Sequence, residues 1–373
     1  DRVIAAARAR GLKVLVTVTG GAPRWATAKQ RDHLTNPNAR AFGKFAMAVG
    51  RRYRSQVSWW SVWNEPNLGK LLKPLYASSR GSALASTKIY RELYLKAFAG
   101  LRSAGVTAPV LLGELAPRKN SLRDNGTIAP LRFLRGVLCL DDRYRKVGKG
   151  CAPLPTQGLA MHPYTTATGP RFVPPDRDDV TIGVLPRLVQ ALDRAAAAGA
   201  LPRRLPVYVT EFGVQSFPDR RSGVSLAQQS DYRSIAEQIA HRNARVKSFS
   251  QYLLRDDDPR GGAYGAFESG LLLFEGSKPK PSLDSFRLPL VVTAARGGRV
   301  ALWGLVRPAH GTAGTIVVEF KDRGRGWKRL ATQRYAGSGY WTRSAQGKAG
   351  RAFRVRWTAP SGVEHVGPAT IAR

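Results

Sequence analysis

The sequence predicts an α/β chain that ends in a separate, small all-β domain, and three observations carry that prediction. Apolar, β-branched runs of strand length alternate with helical stretches, six strands in all, within residues 1–289. Two of those runs end at a glutamate, Glu65 and Glu211. From Leu290 onward, short segments of alternating polarity are separated by glycines. Catalytic groups at the C-terminal ends of strands belong to the (β/α)8 barrel. No G-x-G-x-x-G turn or phosphate loop favours an open doubly wound sheet instead. The domains are therefore expected at 1–289, a TIM barrel, and 290–373, an immunoglobulin-like β-sandwich.

Within residues 1–10, Val3, Ile4 and Ala7 lie on one helical face, and Gly11 fits the position after a helix end. The run Leu12-Lys13-Val14-Leu15-Val16-Thr17-Val18, closed by Gly20-Gly21, reads as a buried parallel strand. A helix over 39–53 leads to a strand over 57–63, and a helix over 86–104 to a strand over 109–114. A helix over 131–138 precedes a strand over 158–164. Helices over 183–198 and 225–243 precede strands over 205–211 and 246–254. The pattern changes character near 282–289. Beyond it, Ile316, Val318 and Phe320 share one face, and Phe353-Arg354-Val355-Arg356-Trp357 alternates strictly.

At 373 residues and 43% hydrophobic content, the chain can build two cored domains. It has no run of about 18 apolar residues, so no membrane-spanning helix is expected. The formal charge of +35 comes mostly from arginine in an alanine-rich chain, a balance that coding bias alone produces. Residues 290–373 hold 15 Lys/Arg against 3 Asp/Glu, so the charge is dispersed over both domains. Without a nucleic-acid-binding motif, it favours an acidic polysaccharide or cell surface over nucleic acid. His33, His162, His241, His310 and His365 have no ligand spacing, and no metal site is expected. Cys139 and Cys151 stand 12 positions apart in a polar stretch, as two thiols or as a disulfide closing a surface loop. The disulfide reading goes with an exported protein.

Two carboxylates placed where buried strands run out are the equipment of a retaining glycosidase. Here the chain resembles the clan A retaining glycoside hydrolases, (β/α)8 barrels that include families 5, 10 and 39. The resemblance rests on Trp63-Asn64-Glu65-Pro66-Asn67 and on Val207-Tyr208-Val209-Thr210-Glu211-Phe212-Gly213. In that clan an Asn-Glu pair ends the fourth strand and a second glutamate ends the seventh. Taking 57–63 as the fourth strand makes 205–211 the seventh, with two strands between. The same count makes 12–18 the third, so either two strands and a helix of the barrel are expected to precede Asp1, the preferred reading, or another arrangement closes the barrel.

The resemblance implies roles residue by residue. Glu65 would be the general acid/base, Glu211 the nucleophile, and Asn64 the partner of the sugar 2-hydroxyl. Tyr164 would orient the nucleophile. His162 would line the sugar subsite or serve a structural role. Trp25, in Pro23-Arg24-Trp25-Ala26, resembles a segment of the family 39-like branch and would stack on a sugar or pack within its loop. Tyr252, toward the end of the eighth strand, would be an aromatic platform. Trp63 is expected to fill the barrel, Glu114 and Glu268 to be accessory, and Asp256-Asp257-Asp258 to form a solvated loop. The expected activity is hydrolysis of O-glycosyl bonds in a β-linked oligo- or polysaccharide by double displacement. It needs no cofactor, and a monomer at or outside the cell surface is expected to perform it. The alternatives are a non-catalytic carbohydrate- or cell-surface-binding protein on the same barrel, a basic surface-binding module, and a transglycosylase.

Overall fold

A computed structural model describes residues 1–148, 151–258, 266–309 and 311–372, so His310 lies outside the described residues. Contacts divide the chain into two compact units. The first holds Asp1–Tyr164, Val173–Phe212 and Asn243–Ser250, and the second holds Thr165–Phe172, Gly213–Arg242 and Gln251–Arg373.

The first unit alternates strands and helices. Its elements are α1 (Arg2–Ala9), β1 (Leu15–Val18), α2 (Ala39–Tyr53), β2 (Trp59–Val62), α3 (Ser86–Ser103), β3 (Val110–Leu115), α4 (Pro130–Val137), β4 (Gly158–Met161), α5 (Leu185–Ala197), β5 (Val207–Phe212) and β6 (Val246–Gln251). Local signals start the helices: the Asn38 side chain accepts the Ala41 N–H at the head of α2, and Pro130 opens α4. Each strand pairs with the next in chain order, from β1 to β6. The pairs from β1 to β5 are parallel. A doubly wound sheet reverses its order at a switch point, and this one does not.

The sheet is also curled. Trp59 on β2 and Tyr208 on β5 stand three strand spacings apart, about 14 Å in a flat sheet. Their ring centroids are nevertheless 6.2 Å apart. Gly158 on β4 makes room for this approach, since a Cβ there would come within 2.6 Å of the Tyr208 ring. Order and curl are those of an α/β barrel wall, with β1 and β6 as its ends. β3 and β4 are buried along their whole length, as central parallel strands covered on both faces must be. In the loop after α4, Cys139 and Cys151 are joined as a disulfide, with Cα atoms 6.0 Å apart.

The second unit carries α6 (Leu226–Arg242) and α7 (Pro281–Arg287) with eight strands. These are β7 (Leu290–Ala294), β8 (Arg299–Leu305), β9 (Gly314–Lys321), β10 (Lys328–Tyr335), β11 (Tyr340–Gln346), β12 (Ala352–Thr358), β13 (Glu364–Val366) and β14 (Thr370–Ile371). They form two sheets, one in the order β11-β8-β7 and one in the order β10-β9-β12-β13 with β14 beside β12. Leu302, Val318, Trp341, Phe353, Val355 and Trp357 belong to one buried cluster shared by both sheets. α7 falls in the stretch where the sequence shows only a change of character; Pro281 in its first turn is the start signal. The expectation of a solvated aspartate loop fails at Asp256. That residue is buried and ion-paired at 2.7 Å with Lys280, whose ammonium also reaches the Ser216 hydroxyl and the Glu268 carbonyl. A buried lysine needs such partners, and a run of three aspartates does not reveal which one supplies the charge.

Candidate active site

β2 ends at Val62, and the chain leaves it through left-handed backbone at Trp63 (φ 69°) and Glu65 (φ 41°). Left-handed backbone costs a residue with a Cβ about 1–2 kcal/mol, so the surroundings must over-determine it. The Trp63 N–H donates to the Val18 carbonyl at 2.8 Å, and the Glu65 N–H donates to the Glu114 carbonyl at 2.9 Å. Trp63 does not fill the barrel. Its ring stands edge-on to Phe42 of α2 at 5.2 Å, and its indole N–H donates to the Leu71 carbonyl at 3.2 Å. Asn67, fully buried, donates to the carbonyls of Ala116 and Ile128 and accepts the Ala116 N–H, all within 3.0 Å. The last residue of the motif therefore anchors the turn that aims Glu65.

His162 follows β4, its backbone N–H held by the Leu115 carbonyl and its side chain fully buried. Its Nδ1 lies 3.1 Å from Glu65 Oε1 and 3.4 Å from Glu211 Oε2. Those two carboxylate oxygens can therefore be no farther apart than the two distances laid end to end, 6.5 Å. His162 Nε2 lies 3.7 Å from Glu114 Oε2 and makes no hydrogen bond. The Tyr164 hydroxyl donates to Glu211 Oε2 at 3.0 Å, and the Thr17 hydroxyl donates to a Glu114 oxygen at 2.7 Å. Glutamates from the ends of β2, β3 and β5 thus surround one imidazole at the end of β4. A flat sheet would keep β2 and β5 apart; the curl brings their ends together.

Burial pushes the Glu211 carboxyl up and the Glu65 charge adds to the rise, while the His162 charge and the Tyr164 hydroxyl oppose it. Burial likewise raises Glu114, against the opposing pull of His162 and Thr17. For His162, burial alone would lower the pKa. The hydrogen bond to Glu65 and the charges of Glu211, Glu65 and Glu114 outweigh it, so the net direction is up.

The remaining sequence candidates divide. The Asn64 N–H donates to the Thr19 hydroxyl at 3.1 Å, while its side-chain oxygen is buried with no hydrogen-bond partner. Buried polar atoms of this kind call for an explanation. Trp25 is 68% exposed. It lines an apolar recess of about 330 Å³ with Pro37, Phe42, Phe45, Thr19 and Trp63, the last two flanking the loops that carry Asn64 and Glu65. Tyr252 and Glu268 belong to the second unit, where the Tyr252 ring stands edge-on to Phe267 at 5.4 Å. Glu114 is the residue whose centrality the sequence understates. Its position at the end of 109–114 was legible, but its burial against Thr17 and His162 was not.

No family model matches the chain, and no curated protein matches it. Among solved structures, it is similar to the AHE enzyme from Alicyclobacillus herbarius, with a TM-score of 0.46 and 15% identity over 76% of each chain. A β-glucosidase from Exiguobacterium marinum gives 0.45 and 15% over 75% of each. The virulence factor SghA, in complex with its substrate analog salicin, gives 0.43 and 16% over 75% of this chain and 72% of that one.

Proposed function

We propose that this chain is a retaining glycosidase that cleaves an O-glycosyl bond of a β-linked oligo- or polysaccharide. The observation that carries this is the meeting of Glu65 and Glu211 at one His162 nitrogen, with their nearest carboxylate oxygens at most 6.5 Å apart. Inverting enzymes separate their carboxyl groups by about 6.5–9.5 Å to admit a water and retaining ones by about 5 Å, and two carboxylates meeting at one histidine nitrogen favour the shorter spacing. Glu211 attacks the anomeric carbon while Glu65 gives its proton to the departing oxygen, leaving a glycosyl ester on Glu211. Glu65 then takes a proton from water, which attacks the same carbon, and the Glu211–carbon bond breaks. By the resemblance of its Asn-Glu pair, Asn64 is assigned the contact with the sugar 2-hydroxyl. Glu114 is a positioning residue that acts through His162. The Cys139–Cys151 disulfide supports a further proposal, that the protein works outside the cell. Proton NMR of the first product from an aryl β-glycoside tests the reading: a β-hemiacetal is expected, and an α-hemiacetal would overturn it.

A nucleophile must be ionised, and burial opposes that at Glu211. The His162 cation supplies the counter-charge, so His162→Asn is expected to move the acidic limb of kcat/KM to higher pH. A limb that stays in place would show that no charged imidazole acts on Glu211. The stability effect has its own sign. The folded pKa of His162 is raised above the ordinary 6.5, so the stabilisation it gives is complete below that value. It is lost as pH rises through the folded value. The Tm advantage of wild type over His162→Asn should therefore shrink with rising pH, as a thermal melt series would record.

A further inference from the structure

A β-sandwich has two outer faces, and in the second unit they differ. The outer face of the three-stranded sheet is apolar: Val291 and Trp303 pack with Ile235 of α6, and Tyr340 stacks on His241 at 3.7 Å. The five-stranded sheet is different. Its register sets Glu319 opposite both Arg329 and Arg354, Val317 opposite Thr332 and Arg356, and Thr315 opposite Arg334. Residues so paired share a face, and Val318, pointing the other way, is fully buried in the core. Lys321 is two residues beyond Glu319 and joins the same outer face. Five cations therefore stand on one sheet surface.

Most of this charge is not neutralised internally. Residues 314–358 contain 11 Lys/Arg and 2 Asp/Glu. Glu319 pairs with Arg354 at 2.7 Å and Arg356 at 3.4 Å, and Asp322 pairs with Arg351 at 2.7 Å and Lys348 at 3.9 Å. Among the described residues, Arg323, Arg325, Arg329 and Arg334 form no ion pair with an acidic group, and all four are exposed. The Trp327 ring, with the Arg354 guanidinium at 4.2 Å and the Lys321 ammonium at 5.2 Å, fixes two of the cations in place.

We propose that this face binds an acidic polysaccharide. Alternate residues on a strand are spaced by about 7 Å and neighbouring strands by about 5 Å, so the cations form a flat, open grid. One small anion would engage one or two of them. A chain with a repeated charge engages several at once, and each linked contact raises the effective concentration for the next. Arginine supplies four of the five sheet cations, and its planar fork matches the carboxylate of an acidic sugar. The choice of a sugar chain over other polyanions rests on the glycosidase reading of the first unit.

Affinity electrophoresis of the full chain tests this, through gels containing polygalacturonate, a neutral cellulose ether, or duplex DNA at equal charge concentration. Polygalacturonate should retard the wild type, the neutral polymer should not, and the retardation should vanish toward about 0.5 M salt. The quadruple variant R323Q/R325Q/R329Q/R334Q, which removes the charges without setting a glutamate opposite Glu319, should bind polygalacturonate at least about tenfold more weakly, with an unchanged melt. Its hydrolysis of a neutral aryl glycoside should be unchanged, and that assay reports on the active site alone. Undiminished binding by the variant, equal binding of the neutral polymer, or tighter binding of DNA would each overturn the proposal.

Discussion

Glu211→Ala is expected to lower kcat for an aryl β-glycoside by about 10⁴- to 10⁶-fold, because no glycosyl ester can form without the nucleophile. The residue is mostly buried beneath its Tyr164 and His162 contacts, so truncation leaves a small cavity facing the anomeric carbon. Azide can enter that cavity and attack from the same side in a single displacement. The product is then a glycosyl azide of inverted configuration, visible by NMR, and the rate becomes dependent on azide concentration. A variant as active as wild type would falsify the nucleophile assignment and favour a protein that binds sugar without turning it over. The melt should change little, since the burial penalty that Glu211 carries in the wild type offsets its attraction to His162.

Glu65→Ala should give a loss that depends on the leaving group. For an alkyl or sugar leaving group, which must be protonated to depart, kcat/KM should fall by about 10²- to 10⁴-fold. For a dinitrophenolate, which leaves unprotonated, the first step should be nearly intact. The missing base would then slow the hydrolysis of the ester, so a burst of dinitrophenolate should precede a slow steady state. Stopped-flow absorbance reads both phases. A loss of equal size for every leaving group would instead mean that Glu65 holds the substrate or the fold, since its backbone sits at the strained turn anchored by Asn67. The two variants separate roles that a single activity measurement would merge.

The strand-to-helix rhythm was legible because each element carries its own local signal, apolar runs for the strands and spaced apolar faces for the helices. All six strands of the parallel sheet and the alternating strands of the sandwich follow from it. Glu65 and Glu211 were legible for a related reason. Each ends such a run, and a strand end in a parallel sheet of this kind points a side chain toward the mouth. α7 was missed because seven residues give too little periodicity to stand out beside a proline-bounded loop. Trp63 departs from the expectation because it stands on a left-handed turn beyond the last residue of β2, where strand geometry no longer sets the side-chain direction.

What the sequence determined by itself is the order of elements, the two glutamates and the residue types at each strand end, since these depend on neighbours within a few positions. The tertiary structure decided that three glutamates share one buried imidazole, that Asn67 anchors the turn before them, and that Asp256 is an ion-pair partner. It also decided that one face of the sandwich is covered while the other presents its arginines. Each of these depends on curl, register and burial, which bring together residues separated by tens to more than a hundred positions along the chain.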